Sequence, residues 1–154
     1  MVRRLIAAVV VSGMALGVVA TAASALPKKP VCKVITEADI QGVFGAAPTD
    51  TIEDGQKGKF STCTWKVPAS DGSETTAFIG IDKPNSLNKK DFKENSKSAT
   101  AEKVPGIKKG FIDGNTVTFI KGANFVNVQH LGATPEATNT AALIDLAKLI
   151  YSKL

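Results

Sequence analysis

Residues 116–131 read TVTFIKGANFVNVQHL and decide the fold. Apolar and polar side chains alternate on both sides of Gly122-Ala123, which is the pattern of an antiparallel hairpin with a two-residue turn. That turn fixes the cross-strand pairs, which are Lys121 with Asn124, Phe119 with Val126, Val117 with Val128 and, on the reverse face, Thr118 with Asn127. The hairpin therefore predicts a sheet with one apolar face and one mostly polar face.

A second hairpin is predicted upstream. Residues 60–67 alternate so that one face carries Cys63, Trp65 and Val67. A turn at 70–73 leads into a strand at 75–82, and a short strand is expected near 51–53. Trp65 is interpreted as core packing beside a cysteine rather than as a ligand platform.

The sequence predicts three helices. Thr36 and Asp39 form a capping box for a short helix over 36–44 that Gly45 ends, after an extended lead at 26–31. Residues 87–100 predict a weak, polar surface helix. The clearest helix starts at a Thr134 cap with Pro135 and Glu136 in its first turn, and its apolar stripe comprises Leu143, Leu146, Ala147, Ile150 and Leu154.

These elements predict an α+β fold, in which an antiparallel sheet is covered by helices and a C-terminal amphipathic helix buries its stripe on the apolar face. Residues 1–25 are interpreted as a signal peptide, with Arg3 and Arg4 before an apolar stretch and Ala23-Ser24-Ala25 as the cleavage site. A permanent membrane anchor is the alternative, which the cleavage site and the diluting glycines disfavour. Residues 26–154 then form a single secreted domain. No cysteine stands directly after the cleavage site to carry a lipid anchor, because Cys32 lies several residues downstream.

The charge of residues 26–154 is mildly positive, because 17 lysines stand against 14 acids and both arginines lie in the leader. Without arginine the domain lacks the planar fork that reads phosphates and guanine edges, so nucleic acid is not predicted as a partner. Three lysine pairs, Lys28-Lys29, Lys89-Lys90 and Lys108-Lys109, favour weak attraction to an anionic envelope polymer or lipid surface, although most such pairs are only solvated.

Cys32 and Cys63 are the two cysteines, and in an oxidising compartment they are predicted to form one disulfide. On the chain-entropy view that bond removes roughly 3.5 to 4 kcal/mol from the unfolded state. The alternative, a redox or metal site, lacks the C-x-x-C spacing and further histidines.

No catalytic residue, metal site or cofactor is predicted. His130 is the one histidine, and its position on the face of Val126 and Val128 favours a structural role. Nucleotide-binding and nucleophile motifs do not occur. The acids Asp50, Glu53 and Asp54 lack the spacing of a calcium loop and are interpreted as a solvated turn.

Several segments together resemble a family of actinobacterial secreted proteins and lipoproteins that is known only as a domain of unknown function. They are Pro30-Val31-Cys32, Ile35-Thr36, Phe44-Gly45, Cys63-Thr64-Trp65, Val104-Pro105-Gly106-Ile107, a Lys-Gly turn and the closing helix. The chain departs from the family in lacking a lipobox cysteine and in having Lys108-Lys109 where Gly-Asp is usual. The resemblance implies an envelope location and an α+β fold, and it implies no reaction.

The functional expectation is an exported, non-catalytic binding or accessory domain of the cell envelope, with an envelope protein or an anionic polymer as partner. One alternative is a small-molecule or lipid carrier with a pocket between the sheet and the C-terminal helix. A second alternative is an envelope hydrolase with dispersed carboxylates, which converge only in space.

Overall fold

The computed structural model describes residues 30–56, 58–132 and 136–154. The predicted signal peptide at 1–25 and the cap residues Thr134 and Pro135 lie outside these ranges. Cys32 and Cys63 form the predicted disulfide, with their Cα atoms 5.3 Å apart.

Seven strands form one antiparallel sheet. In chain order they are β1 (Asp50–Gln56), β2 (Phe60–Pro68), β3 (Glu74–Asp82), β4 (Glu102–Lys103), β5 (Gly110–Asp113), β6 (Thr116–Lys121) and β7 (Asn124–Leu131). Their order across the sheet is β1-β2-β3-β7-β6-β5-β4. The sheet therefore consists of two meanders, β1–β3 and β4–β7, that meet where β3 pairs with β7.

The predicted register of the β6–β7 hairpin is confirmed. Phe119 is opposite Val126, Val117 is opposite Val128, and Lys121 is opposite Asn124 around the Gly122-Ala123 turn. The hairpin of β2 and β3 is confirmed as well. At the seam between the meanders, Ile79 of β3 pairs with Val128 of β7, so the two apolar faces are continuous.

Four helices accompany the sheet, namely α1 (Val31–Val34), α2 (Glu37–Phe44), α3 (Ser86–Asn95) and α4 (Glu136–Lys153). The α2 capping box is present as predicted, and Gly45 ends that helix with a left-handed φ of 79°. Helix α4 packs against β6, β7 and α2, and α1 packs against the first meander. The predicted α+β class, with a helix-covered antiparallel sheet, is confirmed.

The core lies between the sheet and the helices α1, α2 and α4. Trp65, Phe119, Ile79 and Val128 are fully buried there. The stripe of α4 faces them, with Leu143, Leu146, Ala147 and Ile150 buried and Leu154 partly buried. Full burial of side chains of this size is worth about 1.5–3 kcal/mol each.

The structure corrects three boundaries. Val31 was expected in an extended lead, but it begins α1, where its N–H donates to Ser61 Oγ over 2.9 Å and its side chain is fully buried. These tertiary contacts and the disulfide stabilise a helical turn that four residues would not hold alone. Helix α3 ends at Asn95 rather than at residue 100, in keeping with the weak helix formers that follow it.

The third correction concerns the acidic group. Asp50, Glu53 and Asp54 were interpreted as a solvated turn, but they lie in β1, which is longer than the predicted strand near 51–53. Strand alternation places Asp50 and Asp54 on one face and Glu53 on the other. The three carboxylates therefore do not converge, and no group of three metal-ligating side chains occurs among the described residues.

Candidate functional site

Helix α3 is the only described helix that packs on the polar side of the sheet. Asn85 caps it, because its Oδ1 accepts from the N–H groups of Leu87 and Asn88, each over 2.9 Å. Phe92 lies on the side of the helix that faces the sheet. Its ring centroid is 5.3 Å from that of Phe111 and 6.5 Å from that of Phe125. This aromatic cluster holds α3 over β5 and β7.

One exposed flank of α3 is basic. Lys90 and Lys93 lie away from Phe92 around the helix, Lys89 lies one turn before Phe92, and all three lysines are exposed. Lys97, just past the helix, is exposed too. We call these four residues the lysine face. An ion pair between Lys90 Nζ and Glu94 Oε1 over 3.9 Å is exposed and contributes little to stability.

The lysine face belongs to a wider division of charge. From residue 30 to 82 the sequence has eight acids against four lysines, a formal net charge of −4, whereas residues 83–132 have nine lysines against four acids, a net of +5. The meander topology makes these two stretches spatial halves, because β1–β3 lie on one side of the seam and β4–β7 with α3 on the other. We call them the acidic half and the basic half.

A polar cleft lies between α3 and the polar face of the basic half. Its volume is about 440 Å³. Asp91, Phe92 and Asn95 line it from the helix, and Asp113, Thr118, Asn127 and Gln129 are among the residues that line it from the sheet. The Thr118 hydroxyl donates to Asn127 Oδ1 over 2.8 Å, and the Thr100 hydroxyl donates to Asp113 Oδ1 over 2.7 Å. These bonds orient an amide and a carboxylate at the cleft.

An apolar cleft lies on the other side of the sheet, between the end of α2, the β2–β3 turn and α4. It measures about 410 Å³ and is lined mainly by small apolar side chains, with Phe44 and Val67 among them. Three polar side chains, those of His130, Thr75 and Ser70, line it as well, and the first two are buried. The Phe44 and His130 rings are tilted against each other with centroids 4.8 Å apart.

His130 occupies the position that the sequence predicted for it, on the buried face with Val126 and Val128. Its Nε2 lies 2.5 Å from Thr75 Oγ1, and the Thr75 hydroxyl also bonds to the Leu131 carbonyl over 3.0 Å. Because the Thr75 hydroxyl donates to that carbonyl, its oxygen is free to accept a hydrogen bond from Nε2 of the ring. The histidine thereby ties β7 to the first residues of β3.

The other residues that the sequence analysis considered lie in different parts of the molecule. Trp65 is fully buried on the same strand face as Cys63, which confirms its packing role. The pairs Lys89-Lys90 and Lys108-Lys109 lie in the basic half, whereas Lys28-Lys29 lies outside the described residues. The carboxylates Asp91 and Asp113 share the polar cleft, which no sequence pattern indicated.

Sequence reasoning missed both the charge division and the polar cleft. Summing charge over the two stretches on either side of residue 82 would have found the first signal, because the predicted turns already separated two groups of strands. The cleft gave no such signal, since its lining comes from a helix and three strands that are joined only in the folded chain.

None of the helices in the described ranges is long and apolar enough to cross a membrane. Comparison with protein-family models, curated proteins and solved structures finds no match to this chain. The resemblance to the actinobacterial envelope family therefore stays a prediction.

Proposed function

We propose that this chain is an exported, non-catalytic binding domain of the cell envelope, and that it binds an anionic polymer through the lysine face. The single observation that supports this most strongly is the division of charge along the sheet, with exposed lysines on the solvent side of α3. The disulfide suits an extracytoplasmic setting, because such bonds persist where the surroundings are oxidising.

The spacing of the lysines suits an extended polyanion. Lys89 and Lys93 stand one helical turn apart, and Lys97 follows at the same interval just beyond the helix end. A repeat of about 1.5 Å per residue makes this row about 12 Å long. Lysine ammonium groups are flexible point charges, so they bind phosphate or carboxylate groups without demanding one fixed geometry.

The composition of this surface favours a polymer over a folded protein partner. Protein interfaces depend on a cluster of aromatic or aliphatic anchors that become buried. On α3 the structure describes a single large exposed apolar side chain, Leu87, which is 71% exposed. A surface of this kind binds through summed charge, which makes binding fast, weak and sensitive to salt.

The test uses residues 26–154 purified with the disulfide intact and immobilised polyphosphate as the probe. The variant K89Q/K93Q/K97Q removes three charges from the lysine face, and K33Q/K59Q/K148Q removes three exposed lysine charges elsewhere, so the two variants have equal net charge. We expect the wild type and the second variant to be retained at about 0.01 M salt, and the first to lose at least about tenfold in affinity.

Raising the salt to about 0.15 M should weaken wild-type binding, because the Debye length falls from about 30 Å to about 8 Å. Equal losses in the two variants would contradict the proposal, since they would show that net charge alone matters. Stronger retention on polyglutamate than on polyphosphate at equal charge density would assign the surface to an acidic protein instead.

The apolar cleft favours a second candidate function, a carrier of a small molecule or lipid. Its volume is within the range of about 300–1,000 Å³ that is usual for ligand sites, and its lining is mainly apolar with three polar side chains. It lies at one end of the interface between the sheet and α4, whose middle is filled by core side chains. A saturable change in Trp65 fluorescence on adding a fatty acid, lost in the A142F variant that fills the cleft without adding a second tryptophan, would support the carrier.

A further inference from the structure

We infer that the polar cleft between α3 and the sheet is a binding site for an uncharged carbohydrate. This site lies on the inner side of α3, away from the lysine face, so it goes beyond the proposed polymer binding and uses different residues. Its volume of about 440 Å³ is adequate for one or two sugar rings by the usual size of ligand sites.

Charge excludes the other ligand classes. The side chains that line the cleft include the carboxylates of Asp91 and Asp113 and no lysine, so an anion would meet repulsion without a counter-charge. A metal ion would meet only two carboxylates there, and no group of three His, Cys, Asp or Glu side chains that could hold a metal occurs among the described residues. An uncharged ligand needs neither a counter-charge nor a third carboxylate.

The hydrogen-bonding groups then require a ligand that is rich in hydroxyls. Carboxylates accept hydrogen bonds and amides both donate and accept, so hydroxyl groups, which do both, complement the mixture. Asn127 is already oriented, because its Oδ1 accepts from Thr118 and its NH₂ group carries the donors. Asp113 is oriented likewise by Thr100. Oriented partners lower the entropy cost of binding.

The cleft also offers one apolar surface, as a sugar ring requires for its C–H face. Phe92 lines the cleft and is half buried, whereas Phe111 and Phe125 are nearly buried beneath it. The ring is held by its contacts with these two, so it presents a fixed surface beside the polar groups. Polar groups around one aromatic wall thus favour a carbohydrate over an apolar ligand.

The experiment is an NMR titration of residues 26–154 with maltose, cellobiose and N,N′-diacetylchitobiose, each to about 20 mM, in about 0.5 M salt. High salt screens the lysine face, so binding that persists there is independent of the polymer site. We expect at least one disaccharide to cause saturable shifts in the amide signals of α3, Asn127 and Gln129. The variant K89Q/K93Q/K97Q should keep the same affinity.

Two cleft variants and one matched control complete the test. Gln129→Ala and Asp91→Ala should each weaken binding at least about tenfold, because each removes hydrogen-bonding groups from the cleft. Thr64→Ala changes a half-buried polar residue on the same sheet face, outside the residues that line the cleft, and should leave affinity unchanged. Shifts that are absent for all three sugars, or equal in the variants and the control, would overturn the inference.

Discussion

The two meanders have the same up-and-down antiparallel topology but are held by different contacts. The first, β1–β3, is held by the disulfide from α1 and by buried Trp65, and its half of the chain is acidic. The second, β4–β7, is held by α4 on one face and by the aromatic cluster under α3 on the other, and its half is basic. In the first half the disulfide links α1 to β2. In the second half α3 lies over the polar face of the sheet, with a cleft between them.

This difference separates charges that make structural contacts from charges that are exposed. In the acidic half the Asp39–Lys153 pair at 2.6 Å joins α2 to α4, whereas the contacts of Lys66 with Asp50 and Glu74 are exposed and contribute little to stability. Most lysines of the basic half are exposed at the ends of flexible chains. We therefore expect substitutions in the acidic half to change stability and those in the basic half to change binding.

The largest expected effect comes from removing the disulfide with C32A/C63A. The bond closes a loop between residues 31 positions apart, so its loss should cost up to about 3.5 to 4 kcal/mol of unfolding free energy on the chain-entropy view. Denaturant unfolding of the variant against oxidised wild type measures this. Hydrogen exchange should speed up most for the amides of α1, α2 and β1, which lie inside that loop.

Wild type treated with reductant serves as the control for C32A/C63A, because it loses the bond without losing the sulfur atoms. An equal or greater loss of protection in β6 and β7 would break the comparison, since it would mean that the bond stabilises both halves alike.

The seam between the halves is tested by Gly132→Ala. A Cβ at this position would lie 2.7 Å from the Cβ of Thr75 and would also meet the Thr75 hydroxyl, whose bond to the Leu131 carbonyl joins β3 to β7. Crowding of this kind costs about 1–3 kcal/mol, to be measured by denaturant unfolding.

Gly42→Ala is the matched control for the seam. Gly42 lies in α2 with nothing within 4 Å of an added Cβ, so the same change there should stabilise the domain by about 0.5–1 kcal/mol. Equal effects of the two substitutions would show that Gly132 does not constrain the seam.

Local patterns explain how much of this fold the sequence predicts. Alternation around Gly122-Ala123 gives the β6–β7 register, and the Thr36–Asp39 capping box gives the start of α2, because each signal is confined to a few neighbouring residues. Helix α1 and strand β4 (Glu102–Lys103) were not predicted, because each is stabilised by residues that are distant in the sequence. Val31 is fixed by Ser61, and Glu102 by its pairing with Ile112.

The candidate sites follow the same rule. The buried, structural position of His130 could be predicted from strand alternation, and the lysine pairs were visible in the sequence. That Lys89-Lys90 and Lys108-Lys109 lie in one spatial half follows from the strand order, in which β7 rather than β4 lies beside β3. The polar cleft required in addition the placement of α3, which depends on Phe92 meeting rings from two separate strands.

The smallest predicted effect, and the most specific, concerns Asp39 in the helix layer. Its carboxylate accepts from the Thr36 N–H over 2.7 Å and from Lys153 Nζ over 2.6 Å, which joins the start of α2 to the end of α4. Partial burial opposes ionisation, but the hydrogen bonds from Lys153 and Thr36 prevail and hold the pKa of Asp39 below its usual value of 3.8. D39N should cost about 1 kcal/mol at pH 7.

The pH dependence distinguishes this explanation from a simple packing loss. A carboxyl whose folded pKa is lowered contributes its stability above the unfolded value and loses it as pH falls through the folded pKa. The difference between wild type and D39N should therefore be constant from about pH 5 to 8 and shrink below pH 3.8. D82N is the opposite control, because burial raises the pKa of Asp82, so an ionised Asp82 is a cost that the neutral amide removes. A D39N difference that does not shrink at all as the pH falls below 3.8 would mean that the carboxylate charge does not hold α2 to α4, and the structural use of acids in the acidic half would lose its clearest case.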